Sequence, residues 1–186
     1  LSGFLVAIKN RLDILGILIA SALTALGGGV LRDVILDKTP FAFTTYYPAI
    51  TLGVTILLVY VLKLYKESSL ERQWLFVISD TIGLVAFSIT GALLALEAHY
   101  NFFGVLIVSF VTAVGGGVIR DVMINQVPAV LISDFYGSIA VLVALFLSVA
   151  SLFGVLNEGF VLFVAIFSIL LRIVAYKQQW HLPKLS

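Results

Sequence analysis

The sequence predicts an all-α integral membrane protein with seven transmembrane helices, arranged as two inverted three-helix repeats plus a closing seventh helix. Three observations carry this. First, 61% of the 186 residues are hydrophobic and only 11% are charged, too few charges to coat a water-soluble surface of ordinary density. Second, apolar runs near the 20 residues needed to cross a hydrocarbon core recur along the whole chain. Third, the chain contains a long internal repeat whose unit holds an odd number of runs.

Taken in order, the apolar runs cover residues 12–36, 46–64, 74–96, 102–124, 132–156 and 160–176, with a shorter piece at 1–8. Short segments carrying turn and charge signals separate them, among them Asp37-Lys38-Thr39-Pro40 and Gln126-Val127-Pro128. Such loops leave no room for an extramembrane domain, so the chain reads as one transmembrane domain, 1–186. Long runs without alternation exclude transmembrane β-strands. At an offset of 88, residues 13–40 match residues 101–128 at fourteen of 28 positions, including both glycine triplets, Arg32/Arg120, Asp33/Asp121 and Pro40/Pro128. The same offset lays Thr90-Gly91-Ala92 over Ser2-Gly3-Phe4, so the chain is expected to begin partway along a first helix that is truncated here. The units are then 1–73 for repeat 1, 74–156 for repeat 2 and 157–186 for the closing span and tail.

Three spans per repeat reverse the direction in which the second repeat enters the membrane. Lys9, Arg11, Lys63, Lys66, Arg72, Arg120, Arg172, Lys177 and Lys184 then fall on one side, and Arg32 and Lys38 on the other. By the positive-inside rule the first side is cytoplasmic, giving an outside N-terminus and a cytoplasmic C-terminus.

Gly27-Gly28-Gly29 and Gly115-Gly116-Gly117 each cost a helix about 1 kcal/mol per glycine relative to alanine. In lipid, irregular backbone survives only against protein or a water-filled cavity, so the triplets belong in the interior. One reading makes them breaks that turn the carbonyl end of a helix dipole toward a cation; the other makes them a packing device for close helix approach. On the first reading a bulky residue at Gly28 or Gly116 costs transport more than folding. Arg32-Asp33 and Arg120-Asp121 follow three residues behind the triplets. Charges at that depth either face an aqueous path or pair with each other to anchor the helix end. Ser21, Thr24, Ser109 and Thr112 precede the triplets near one helix face, where hydroxyls either line a hydrated path or bond their own helix carbonyls. Asp80, Ser88 and Thr90 on the fourth span are secondary candidates.

Catalysis has no constellation. The chain has no cysteine, and His99 and His181 stand in a loop and in the tail without metal-site or nucleophile-base spacing. An enzyme, a tightly bound metal, an organic cofactor and a nucleic-acid partner are therefore not expected.

Two copies of Gly-Gly-Gly-Val-x-Arg-Asp-Val in an 88-residue repeat, followed by a seventh helix, resemble the prokaryotic branch of the trimeric intracellular cation channel family. The resemblance spans essentially the whole chain and is most specific at 25–34 with Pro40 and 113–122 with Pro128. It implies a homotrimer among the lipids of a prokaryotic inner membrane, with a pore inside each protomer bounded by the second and fifth helices, kinked at their glycines. It further implies potassium-permeable monovalent cation conduction, with K+ and Na+ as permeant ions. The phosphoinositide-binding basic motif of the animal members has no counterpart here. The same signature occurs in bacterial proteins regarded as transporters of small amino acids such as glycine, the alternative reading.

Overall fold

The computed structural model describes residues 1–66, 69–132 and 135–180. His181 and Lys184, read above as tail residues, lie outside them. Nine α-helices occur among the described residues: α1 (Ser2–Lys9), α2 (Ile14–Ile35), α3 (Phe41–Thr44), α4 (Tyr47–Val61), α5 (Ser69–Glu97), α6 (Phe102–Met123), α7 (Ala129–Ile132), α8 (Tyr136–Leu152) and α9 (Glu158–Lys177). No strand appears among those residues.

Length and composition allow four of these to cross a membrane: α2, residues 73–97 of α5, α6 and α9. The apolar helices α4 and α8 are shorter, at 15 and 17 residues. Their expected runs are cut back where local chemistry dictates. Pro48 occupies the first turn of α4, where a missing N–H is harmless, and Gly154 at φ +67° follows the end of α8.

Helix boundaries recur at equivalent positions of the two repeats. Asp13 caps α2 by accepting a bond from Gly16 N at 2.7 Å, and Asn101 caps α6 from Gly104 N at 2.8 Å. Asp37 and Asn125, 88 apart, both take a left-handed φ just past the ends of these helices, as do Arg11 and His99 after α1 and α5. His99 is thus a helix-terminating residue.

The core is organised around α2, α5 and α6. The main cluster joins α5, α6, α8 and α9 through fully buried Leu84, Val105, Ile139, Val143, Leu147 and Val164. A smaller one joins α1 and α4 through Phe4, Leu5 and Val59. Large apolar side chains elsewhere are exposed, including Ile14, Tyr46, Leu152 and Phe163, as lipid-facing helices require. Two aromatic pairs lie near the C-terminal end of α9, Trp74 with Tyr176 and Phe135 with Trp180, and both include a tryptophan or tyrosine of the kind that favours a membrane interface.

Candidate functional site

The glycine triplets do not interrupt their helices. α2 and α6 run as unbroken 22-residue helices through Gly27–Gly29 and Gly115–Gly117, and no triplet glycine has a positive φ. The expected helix break, with its carbonyls turned to a cation, is therefore corrected.

The two helices instead cross on the triplets. A Cβ on Gly28 would fall onto the carbonyl of Thr112, and one on Gly116 would lie 2.6 Å from Leu23 O and 3.2 Å from Gly28 N. A Cβ on Gly27 would stand 2.9 Å from the Gly116 Cα. Backbone thus lies on backbone, and the lost helix propensity is offset by a contact no larger residue permits. A bulky residue at Gly28 or Gly116 would meet the backbone of the facing helix, so a folding cost is expected beside the loss of transport that the sequence reading expects. The third glycine of each triplet differs. A Cβ on Gly29 would meet only Arg32 Nη2, at 3.9 Å, and one on Gly117 only Arg120 Nη2, at 3.8 Å. Two glycines make the crossing, and the third clears space below a guanidinium.

Each arginine pairs with the aspartate beside it. Arg32 Nε and Nη2 donate to Asp33 Oδ1 at 2.8 and 2.7 Å, and Arg120 does the same to Asp121 at 2.9 and 2.8 Å. All four residues are buried. The other carboxylate oxygen caps a short helix: Asp33 Oδ2 accepts from Phe41 N at 2.8 Å, and Asp121 Oδ2 from Ala129 N at 3.0 Å. These amides follow Pro40 and Pro128, which accounts for the matched prolines. The ion-pair and anchoring reading of Arg-Asp therefore describes their contacts.

Hydroxyls divide between the halves. Ser21 and Thr24 line a cavity of about 230 Å³ together with Ser2, Thr51, Thr55, Ser79, Asp80 and Gly117. Ser109, Thr112 and Ser88 are fully buried away from it. Ser109 Oγ donates to Ser88 O at 2.8 Å, Ser88 Oγ to Leu84 O at 2.7 Å, and Thr112 Oγ1 to Val108 O at 2.5 Å. Thr90 is exposed and bonds Ala86 O. Ser21 Oγ has no partner among the described residues. Its repeat mate Ser109 bonds Ser88, and the residue 88 before Ser88 is not in this chain, so no ligand is inferred from it.

Two further cavities adjoin the first. One of about 390 Å³ holds Gly29, Arg32 and Asp33 and shares Ala25, Thr51 and Phe87 with it. Another, about 40 Å³, holds Arg120, Asp121 and Arg172 and shares Asp80, Gly117 and Tyr136. Shared lining residues thus set the three cavities side by side, with one Arg-Asp pair at each outer cavity. Sequence reasoning missed Tyr136 and Arg172. Arg172 enters the sequence reading only as one of the basic residues on the cytoplasmic side, yet it is buried, with its guanidinium 5.4 Å from the centre of the Tyr136 ring. Its place on α9 behind an apolar stretch gave no signal of this, because α9 has no repeat mate to compare.

The family model described as Glycine transporter matches residues 1–63 and 77–152. Among relatives, the UPF0126 membrane protein YvgT of Bacillus subtilis is 33% identical over 189 residues, covering all of this chain and 90% of its own length. Among solved structures, one described as the structural basis for conductance through TRIC cation channels is 36% identical, with a TM-score of 0.87 over all of this chain and 90% of its own. The TRIC trimeric intracellular cation channel orthologue from Rhodobacter sphaeroides is 26% identical, with a TM-score of 0.86 over 96% and 91% of the two chains. Shared fold, whole-chain identity and duplicated glycine crossing lead to one assignment: this chain, which the Glycine transporter family model matches over most of its length, belongs to the TRIC-like family of UPF0126 membrane proteins.

Proposed function

We propose that the protein is a potassium-permeable monovalent cation channel with a pore inside each protomer of a homotrimer. The observation that supports this is the series of three adjoining cavities between the two Arg-Asp pairs, with Thr24, Thr51, Thr55 and Asp80 among their lining, in a chain 36% identical to a protein described as a TRIC cation channel; we read the series as one route. Hydroxyl oxygens replace part of the hydration shell of a weakly hydrated ion such as K+, and Na+ passes the same lining. The pairs Arg32-Asp33 and Arg120-Asp121 contribute no net charge at either end, so a cation meets no uncompensated guanidinium from them.

On this reading seven helices span the membrane, with α1 in the first span, and 1–73, 74–156 and 157–186 are the inverted repeats and closing span. The distribution of basic residues supports an outside N-terminus and a cytoplasmic C-terminus in a prokaryotic inner membrane. No cofactor is required; the partners are two further copies of the chain and the surrounding lipid.

Recording from purified protein in a planar bilayer under a potassium chloride gradient tests this. Discrete current steps reversing toward the potassium potential are expected, and native mass measurement should give three chains. The alternative, a carrier of a small amino acid such as glycine, is favoured by the family model's description. Saturable glycine uptake into proteoliposomes, driven by a proton or sodium gradient and without current steps, would establish that reading instead.

A further inference from the structure

We propose that Arg172, supplied by α9, is a selectivity-determining residue that balances Asp80 and so limits how strongly one end of the route favours cations. This rests on the permeation reading above.

The small cavity at the Arg120 end collects charged groups from three helices: Asp80 from α5, Arg120 and Asp121 from α6, and Arg172 from α9, with Tyr136 of α8 beside them. Arg120 and Asp121 neutralise one another in a close ion pair. Asp80 remains as the group that gives the cavity negative charge; it bonds Tyr136 and Ser2 and feels the charges of both Arg120 and Arg172, of which Arg120 already has Asp121 as its ion-pair partner. Arg172 is held in place over the Tyr136 ring, so its charge is fixed in a buried setting where water screens it poorly. The two acids and two bases sum to zero.

The opposite cavity is different: its charged lining residues are Arg32 and Asp33, already paired with each other. α9 occurs once, outside the repeats, so no second copy of Arg172 exists to be placed there. The effect of Arg172 is therefore confined to one side of the membrane. With Arg172 present, the Asp80 cavity is a weak-field site that passes monovalent cations and gives a divalent cation no net charge to hold it. With Arg172 removed, a net single negative charge in a narrow, poorly screened cavity raises cation preference and retains divalent cations.

The test is the reversal potential under a potassium chloride gradient for the intact trimer and for Arg172→Gln, Arg172→Lys, Asp80→Asn and the double variant Asp80→Asn/Arg172→Gln. Arg172→Gln should raise the K+/Cl− permeability ratio about tenfold and Asp80→Asn should lower it by a similar factor, within the range that local fields exert on ion concentration. Arg172→Lys should match the wild type. The double variant, balanced again, should return to the wild-type ratio, which loss of packing alone does not produce. Millimolar Ca2+ should block Arg172→Gln from the Arg120 side only. Should Arg172→Gln fail to assemble, Asp80→Asn and the double variant carry the test, since the latter removes a balanced pair. A conducting wild type with ratios unchanged in these variants, or a double variant shifted as far as either single one, overturns the role of Arg172 and leaves the channel reading standing. A wild type that passes no current overturns the channel reading itself.

Discussion

The segments 25–34 and 113–122 carry the same motif and nearly the same contacts, yet their arginines reach different places. Thr24 and Thr112 are matched in detail: each hydroxyl bonds its own helix four residues back, and each packs against a glycine of the preceding helix, Gly3 or Gly91. Arg120 Nη1 crosses to Thr24 Oγ1 at 3.1 Å. No bond joins Arg32 to Thr112 among the described residues, and Thr112 is completely buried. The motif therefore sets the local geometry, the helix crossing and the Arg-Asp pair, while the surroundings set what the guanidinium does next. Around Arg120 those surroundings include Tyr136 and Arg172; around Arg32 they include Tyr47, Thr51 and Phe87.

The largest way to break the comparison is to strip an arginine of its aspartate. Removing one partner of a buried ion pair costs about 3–5 kcal/mol. Both Asp33→Ala and Asp121→Ala should lower thermal stability in detergent, with Asp121→Ala the worse because Arg120 is 3% exposed against 9% for Arg32. Equal losses would mean that the surroundings do not matter.

Next come the crossing glycines. Gly28→Ala and Gly116→Ala each push a methyl group into the backbone of the other helix and should cost about 1–3 kcal/mol through overpacking. Gly29→Ala and Gly117→Ala, in open space beneath the guanidinium, should be neutral or gain up to about 1 kcal/mol of helix propensity. Unfolding curves for the four variants decide it, and a penalty shared evenly within a triplet would contradict the division of roles.

A smaller effect sharpens the difference between the halves. Thr24→Val deprives Arg120 of a charged hydrogen bond, worth about 1.5–3 kcal/mol. Thr112→Val loses only a bond within its own helix, and a cost below about 1 kcal/mol is expected. Reversing that order in the same melts would show that the Arg120 to Thr24 contact contributes nothing.

How far each feature could be read from the sequence depended on its range. Helix caps were legible in principle, since Asp13 and Asn101 act on amides three residues away, and the Arg-Asp pairs lie side by side in the chain. The sequence leaves the glycine triplets open between interruption and packing because helix propensity is local, whereas the contact that decides for packing comes from a helix 88 residues away. The short helices α3 and α7 went unpredicted for a similar reason: their caps are Asp33 and Asp121, eight residues upstream. Counting basic residues by side treats each as solvated, so burial of Arg172 over Tyr136 was invisible to it. Likewise, matched hydroxyls gave no means of telling Thr24, which faces a cavity, from Thr112, which does not.

Because the chain contains no cysteine, a single introduced thiol reports its own surroundings, and this gives the most direct test of a route through the protomer. Ser21→Cys and Thr55→Cys place thiols in the lining, and Ser109→Cys places one in the packed interface between α5 and α6. Potassium current through bilayers would be followed while a positively charged methanethiosulfonate reagent is added. Current carried by Ser21→Cys and Thr55→Cys should fall progressively as the reagent attaches, while Ser109→Cys and the cysteine-free wild type hold steady. Current that is insensitive at both lining positions, or that falls equally for Ser109→Cys, would contradict a path between the two Arg-Asp pairs.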